Sequence, residues 1–190
     1  MSRRVQRVKY HLDPMKIKEL PSVEIKSILR GADELIAHGG RSLLAKVLKG
    51  SCSKEVLNLH LNQSPVYGYY RGLSEDDVLA RIDWVILNGY LRLEYDYRLP
   101  LLVYTEAGWE IEKETYADEL LEDFDRLLET GQRPYDMSFL KDKSRDLVWF
   151  LLDKILTCGD PKYIPVLEDW ELVDYKKVKE RIQQVISHLS

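Results

Sequence analysis

Between residues 78 and 104 the hydrophobic pattern changes its period once, at Asn88-Gly89. Before that point Val78, Ile82, Val85 and Ile86 recur at helical spacing. After it Leu91, Leu93 and Tyr95 alternate with Arg92, Glu94 and Asp96. Side chains share a face every 3.6 residues in a helix and every 2 in a strand, so a helix hands over to a strand here. Beyond Tyr97-Arg98-Leu99-Pro100 a second β-like run, Leu101 to Tyr104, returns along the first. This is a hairpin with a short polar tip. Two strands alone cannot hold a fold in water, so the apolar face of the hairpin must lie on neighbouring helices.

The preceding sequence supplies those helices. Pro21-Ser22 opens the first, with Ser22 as N-cap, and Ile25, Ile28, Leu29, Ala32, Leu35 and Ile36 form its stripe. Gly39-Gly40 ends it. Arg41-Ser42 starts a second helix, with Leu43, Leu44, Val47 and Leu48 on one side and Gly50 at its close. A short third helix is predicted over 54–61. Ser74, followed by Glu75, Asp76 and Asp77, starts the helix that leads to the hairpin, with carboxylates at the positive end of its dipole. Helices followed by a two-stranded wing are the order of a winged helix.

Downstream, Thr105 caps a long helix reaching about Glu129, and Gly131 to Pro134 break the chain. Residues 139–157 are helical and strongly apolar. Gly159-Asp160-Pro161 stop that helix, and a last helix, from about Tyr175 to Leu189, sets Tyr175, Val178, Ile182, Val185, Ile186 and Leu189 on one face. The whole is mostly α with a small β-wing. Its divisions are a basic N-terminal segment (1–20), a winged-helix domain (21–116) and a helical C-terminal region (117–190) resembling a HEAT-type helical pair. A single such pair cannot bury both of its faces. Trp149, Phe150, Tyr163 and Trp170 are therefore read as core first and interface second.

Charge divides the chain in two. Residues 1–72 carry 13 Lys and Arg against 6 Asp and Glu, whereas residues 73–190 carry 15 against 26. A basic front and an acidic back fit two kinds of partner, an anionic one in front and a protein behind. The longest apolar run, Leu147 to Leu152, falls far short of the roughly 20 residues that span a bilayer. No apolar stretch follows the basic N-terminus, and Cys52 and Cys158 form no CxxC, so a reduced, cytoplasmic protein without membrane or disulfide framework is expected. His11, His38, His60 and His188 are scattered. Neither GxSxG nor GxGxxG occurs, and Glu110, Glu112 and Glu114 read as a solvated face. No enzyme, metal or cofactor is expected.

Four blocks in order carry a resemblance. They are His38-Gly39-Gly40 with Val47-Leu48-Lys49-Gly50-Ser51, then Val66-Tyr67-Gly68, then Ile86-Leu87-Asn88-Gly89-Tyr90-Leu91, and then Thr105-Glu106-Ala107-Gly108. Together they resemble the RQC domain, the winged-helix module that follows the motor in RecQ helicases, and above all stand-alone bacterial RQC-type proteins without a motor. The resemblance implies DNA binding, in a setting of DNA repair or replication, through the wing and the N-terminus of the second helix. The chain has no GxxxxGK[ST], so it is no helicase by itself, and it lacks the four-cysteine zinc element that precedes RQC in RecQ proteins. Its wing tip is about two residues shorter than in animal members, where a tip aromatic wedges apart the terminal base pair.

The residues offer contacts for such a role. The helix starting at Ser74 carries Glu75, Asp76, Asp77 and Asp83 with Arg81 as its only interior cation, which disfavours major-groove readout. Gly39-Gly40-Arg41-Ser42 either presents amides, a hydroxyl and a guanidinium to one phosphate or is an ordinary inter-helix turn. Lys46, Lys49 and Lys54 extend the basic front. Tyr70 and Arg71 set a ring beside a cation, although one of Tyr69 and Tyr70 packs into the core. In the wing Arg92, Tyr97 and Arg98 are the candidates, with Tyr95 on the core face and Tyr97 at the tip. The functional expectation is a non-enzymatic protein that recognises duplex ends, forks or junctions. The rival is a protein-interaction adaptor whose winged helix and helical pair recruit a helicase or repair factor, with residues 117–190 as the protein-binding part.

Overall fold

In the computed structural model, residues 11–190 are described. The structure is mostly helical with one two-stranded antiparallel sheet. The chain divides into two compact units, one ending at Glu112 and one spanning Lys113–Ser190. The basic segment expected over residues 1–20 is described only from His11 on. Arg3, Arg4, Arg7 and Lys9, four of the 13 cations of the basic front, lie outside the described residues.

In the first unit α1 (Ser22–Ala32), α2 (Arg41–Lys49), the short α3 (Lys54–Asn58) and α4 (Glu75–Leu87) precede the wing strands β1 (Leu91–Asp96) and β2 (Leu99–Tyr104). α2 packs against both α1 and α4. Ile28, Leu29, Leu44, Leu48, Val78, Ile82, Leu91 and Leu102 lie in one buried cluster. The α1 cap differs from the sequence reading: Pro21 occupies the N-cap, and Ser22 is the first helical residue. Pro has no amide hydrogen to lose at a helix start. α1 also ends earlier, at Ala32, in a 3-10 turn over Asp33–Leu35, and α3 stops at Asn58 ahead of another 3-10 turn. Ser74 caps α4 as expected: its hydroxyl accepts from the Asp77 amide at 3.1 Å and donates to the Asp77 carboxylate at 2.6 Å. That bond holds the Asp77 carboxyl below its ordinary value.

Glycines mark the joints of this unit. Gly50 ends α2 in the left-handed region, with φ 74°, and a Cβ there would stand 3.0 Å from the Gly68 Cα. Gly68 and Tyr70 donate their amides to the Val47 and Leu48 carbonyls at 3.0 and 2.7 Å, so the loop closes on the end of α2. Beyond the wing, the Thr105 hydroxyl donates to the Gly89 carbonyl at 2.6 Å and accepts from the Gly108 amide at 3.1 Å. Thr105 thus caps α5 (Glu106–Thr130) and ties it to the turn that starts the wing.

The second unit is helical, with α6 (Arg145–Cys158), α7 (Ile164–Val173) and α8 (Lys176–Leu189) following α5. α6 begins at Arg145, capped by Ser144, because residues 138–142 form a 3-10 turn. α7 stands between the two helices that the sequence indicated, and its Trp170 is fully buried, ring to ring with Phe124 at 6.0 Å. The Trp170 indole donates to Asp174 at 2.6 Å. Arg133 forks onto Asp169 at 2.8 and 3.1 Å, and the Tyr135 amide donates to the same carboxylate at 2.9 Å. Among the described residues no helix is long and apolar enough to cross a membrane.

Candidate nucleic-acid interface

The wing is set by its register. Leu91 faces Tyr104, Leu93 faces Leu102 and Tyr95 faces Pro100, and these pairs turn to the core. Tyr104 is anchored further, its hydroxyl donating to the Leu29 carbonyl at 2.8 Å. Burial pushes that phenol far above its ordinary pKa, and the nearby Glu112 carboxylate adds to the shift. Arg92, Glu94 and Asp96 alternate onto the outer face opposite Val103, Leu101 and Leu99. The tip is two residues, Tyr97-Arg98, because β2 begins at Leu99 rather than Leu101. Tyr97 has φ 52° and 68% exposure, and the Arg98 guanidinium lies 5.5 Å from its ring centroid. The tip therefore presents a ring and a cation together.

The first turn of α2 abuts the wing. The Ala37 amide donates to the Leu102 carbonyl, and the Leu102 amide to the Gly39 carbonyl, both at 2.9 Å. A Cβ on Gly40 would come 2.9 Å from the Pro100 carbonyl oxygen, so glycine is what allows α2 to start this close to β2. Between them lies a groove of about 250 Å³, lined by His38, Ser42 and Lys46 on one side and Leu99, Pro100 and Leu101 on the other. The first amides of any helix stand outside its own ladder.

The sequence-predicted residues fall into separate places. Ser42 is exposed on the first turn of α2, and Lys46 lies one turn further on, paired with Glu55 at 2.7 Å. Lys49 donates to the Leu73 carbonyl, and the exposed Arg71 lies over Gly50 and Gly68. These two belong to the far end of α2, about 12 Å from Arg41 at ~1.5 Å per residue. Lys54 is exposed at the start of α3. In the wing Arg92 is exposed and pairs with Glu94 at 2.7 Å.

Two candidates are turned inward. Arg41 is ion-paired to Asp83, which is itself buried, and Asp83 also accepts the Asp13 amide at 2.9 Å. The guanidinium read as a phosphate ligand thus joins α2 to α4 inside the domain. Tyr70 is buried at 6% exposure. Its hydroxyl donates to Glu24 at 2.6 Å, and the Arg81 guanidinium stacks 5.5 Å from its ring. Burial, with that bond to Glu24, drives its phenol pKa well upward. The surface ring of the pair is Tyr69. Glu112 also departs from the solvated face expected for it: it is fully buried, 3.9 Å from Arg30.

The surroundings of α4 differ from what its carboxylates alone suggested. Asp83 points inward, so it repels nothing outside. Residues 13–18 instead run against α4, with Met15, Lys16 and Ile17 beside Asp77, Ala80 and Arg81. The Trp84 indole donates to the Lys18 carbonyl at 3.3 Å. Glu75 and Asp76 remain exposed at the helix start, and Arg81 is held by Glu24 at 2.9 Å.

Leu99 and Leu101 are the functional candidates that sequence reasoning missed. The inward alternation of Leu91, Leu93 and Tyr95 with a two-residue tip would have placed both on the outer face. Among the described residues no cluster of His, Cys, Asp or Glu is placed to hold a metal.

The model of the RQC domain matches residues 21–122. Comparisons with curated proteins and with solved structures found no match.

Proposed function

The chain belongs to the RQC domain family, a family of DNA-binding winged helices, and on that premise we propose that it engages duplex ends or fork junctions through the wing tip. The carrying observation is the Tyr97 ring, 68% exposed at the tip with Arg98 against it. A tip ring has no packing role, and base–aromatic stacking is worth about 1–3 kcal/mol per base. The end of a duplex is where a flat ring finds a base pair without opening the stack. Readout in the major groove is disfavoured by the carboxylates at the start of α4 and by the segment lying along it. Ser42, Lys46, Lys54, Arg71, Arg92 and Arg98 are the remaining candidates for phosphate contact.

The reading is tested by titrating a hairpin duplex with one blunt end, a fork, a closed duplex without ends and a single strand, each at two salt concentrations. The blunt and forked DNAs should bind more tightly than the closed duplex. Tyr97→Ala should weaken binding to them by roughly 5- to 150-fold. Its melting temperature should barely move, since an exposed position usually changes stability by less than about 0.5 kcal/mol. Equal affinity for closed and open duplexes, or an unchanged Tyr97→Ala, refutes it.

A further inference from the structure

We infer that the groove between the first turn of α2 and the start of β2 is a subsite for one unpaired nucleobase, so that the preferred DNA end carries a single-stranded overhang. The inference rests on the duplex-end reading above and adds the chemical class of the end. Its first ground is position. Tyr97 occupies the tip, and Leu99, two residues along the chain, opens the groove. With the terminal base pair resting on Tyr97, a strand that runs on past that pair would next meet Leu99.

The second ground is chemistry. Leu43, Leu99, Pro100 and Leu101 make an apolar wall, while His38, Ser42, Lys46 and Glu55 make a polar rim. Lys46 and Glu55 neutralise each other at 2.7 Å, so the rim supplies donors and acceptors without an excess of charge. That combination suits a neutral base, with flat apolar faces and a hydrogen-bonding edge, better than a phosphate. Leu99 is 63% exposed and lines the groove, so its apolar side chain is open to an entering base.

The third ground is rigidity and size. The two walls are pinned together by the paired backbone hydrogen bonds at 2.9 Å between residues 37–39 and Leu102, and by the close approach of Gly40 to Pro100. A groove fixed in this way loses little entropy on filling. Its volume of about 250 Å³, below the roughly 300–1,000 Å³ of sites for drug-sized ligands, is sufficient for one base.

The experiment uses the full chain and three hairpin duplexes with one open end: blunt, with a one-nucleotide overhang, and with an abasic one-nucleotide overhang, in both strand polarities. In one polarity the overhang base should tighten binding by about 5-fold or more over its abasic counterpart. A 2-aminopurine placed there should change its fluorescence on binding. Leu99→Ser should abolish the difference between base-bearing and abasic overhangs while leaving the melting temperature unchanged. Equal binding of base-bearing and abasic overhangs in both polarities, with blunt-end binding intact, overturns the subsite and leaves the duplex-end reading standing. Absence of any preference for open ends overturns both.

Discussion

Gly108→Ala sets two effects of opposite sign against each other. Gly108 is the third residue of α5, where alanine should stabilise the helix by about 1 kcal/mol. Its ideal Cβ, however, would lie 1.9 Å from the Tyr90 carbonyl oxygen and 2.8 Å from the Tyr90 carbonyl carbon. That carbonyl cannot turn aside freely, because it accepts the Thr105 amide at 3.2 Å and the Thr105 hydroxyl at 3.1 Å. Restoring ordinary contact at 3.4 Å requires α5 to retreat by about 1.5 Å from the turn before the wing. The Thr105 amide bond to Tyr90 and the longer arm of the hydroxyl's bond, which is shared with Gly89, are then lost, together at about 1–2 kcal/mol, and the cap of α5 is disturbed at about 1 kcal/mol more. The Tyr90 carbonyl, left partly buried without a partner, adds a further 1 kcal/mol or so. Against the propensity gain the net loss is about 2–4 kcal/mol, a fall in melting temperature of roughly 10–20 °C for a unit of this size. Thermal melts followed by circular dichroism and tryptophan fluorescence measure it. Gly72→Ala is the comparison: nothing lies within 4 Å of its Cβ position, and its melting point should hold or rise slightly. A Gly108→Ala protein that melts with or above the parent refutes the account of this joint.

Tyr95→Ala should do the reverse of Tyr97→Ala: Tyr95 faces Pro100 on the core side of the wing, so stability falls by about 1–2 kcal/mol, and DNA binding weakens only as far as the wing unfolds, read by melts beside titrations. Asp83→Asn should cost about 2–3 kcal/mol in urea unfolding, because the half-buried Arg41 loses the buried carboxylate it pairs with; Arg41→Glu would fail through the same pair before any phosphate is involved. In the second unit the Arg133 guanidinium holds the Asp169 carboxyl below its ordinary value, with the Tyr135 amide assisting. A depressed carboxylate stabilises fully above its unfolded value, about pH 3.9, and that stability disappears as pH falls through the lower folded value. Melts from pH 7 to pH 2 should therefore show an acid loss that is smaller in Asp169→Asn, which is already weaker at pH 7 and keeps only the contribution of other depressed carboxylates such as Asp77.

The blocks that made the family legible turn out to be joints, and this explains what the sequence could and could not disclose. Gly50 meets Gly68, the Gly39-Gly40 turn meets Pro100 to Leu102, and Gly89-Tyr90 meets Thr105 and Gly108. Each joint needs a missing side chain or one particular hydroxyl at a fixed place, so each leaves a mark at a fixed spacing. The period change at Asn88-Gly89 is legible for the same reason, since burial on one face admits one register. Phosphate contact makes no such demand. A cation at position 46, 49, 54 or 71 looks the same in sequence whether it meets solvent, Glu55 or a backbone carbonyl. Arg41 and Tyr70 show the consequence, because their partners Asp83 and Glu24 are distant in the chain and carry no periodicity of their own. Tyr97 escapes the ambiguity because a two-residue tip offers no buried side, and Leu99 would have escaped it had the tip been counted as two residues. The part of the proposed interface that can be read without a structure is the part that the pleat itself pushes into solvent.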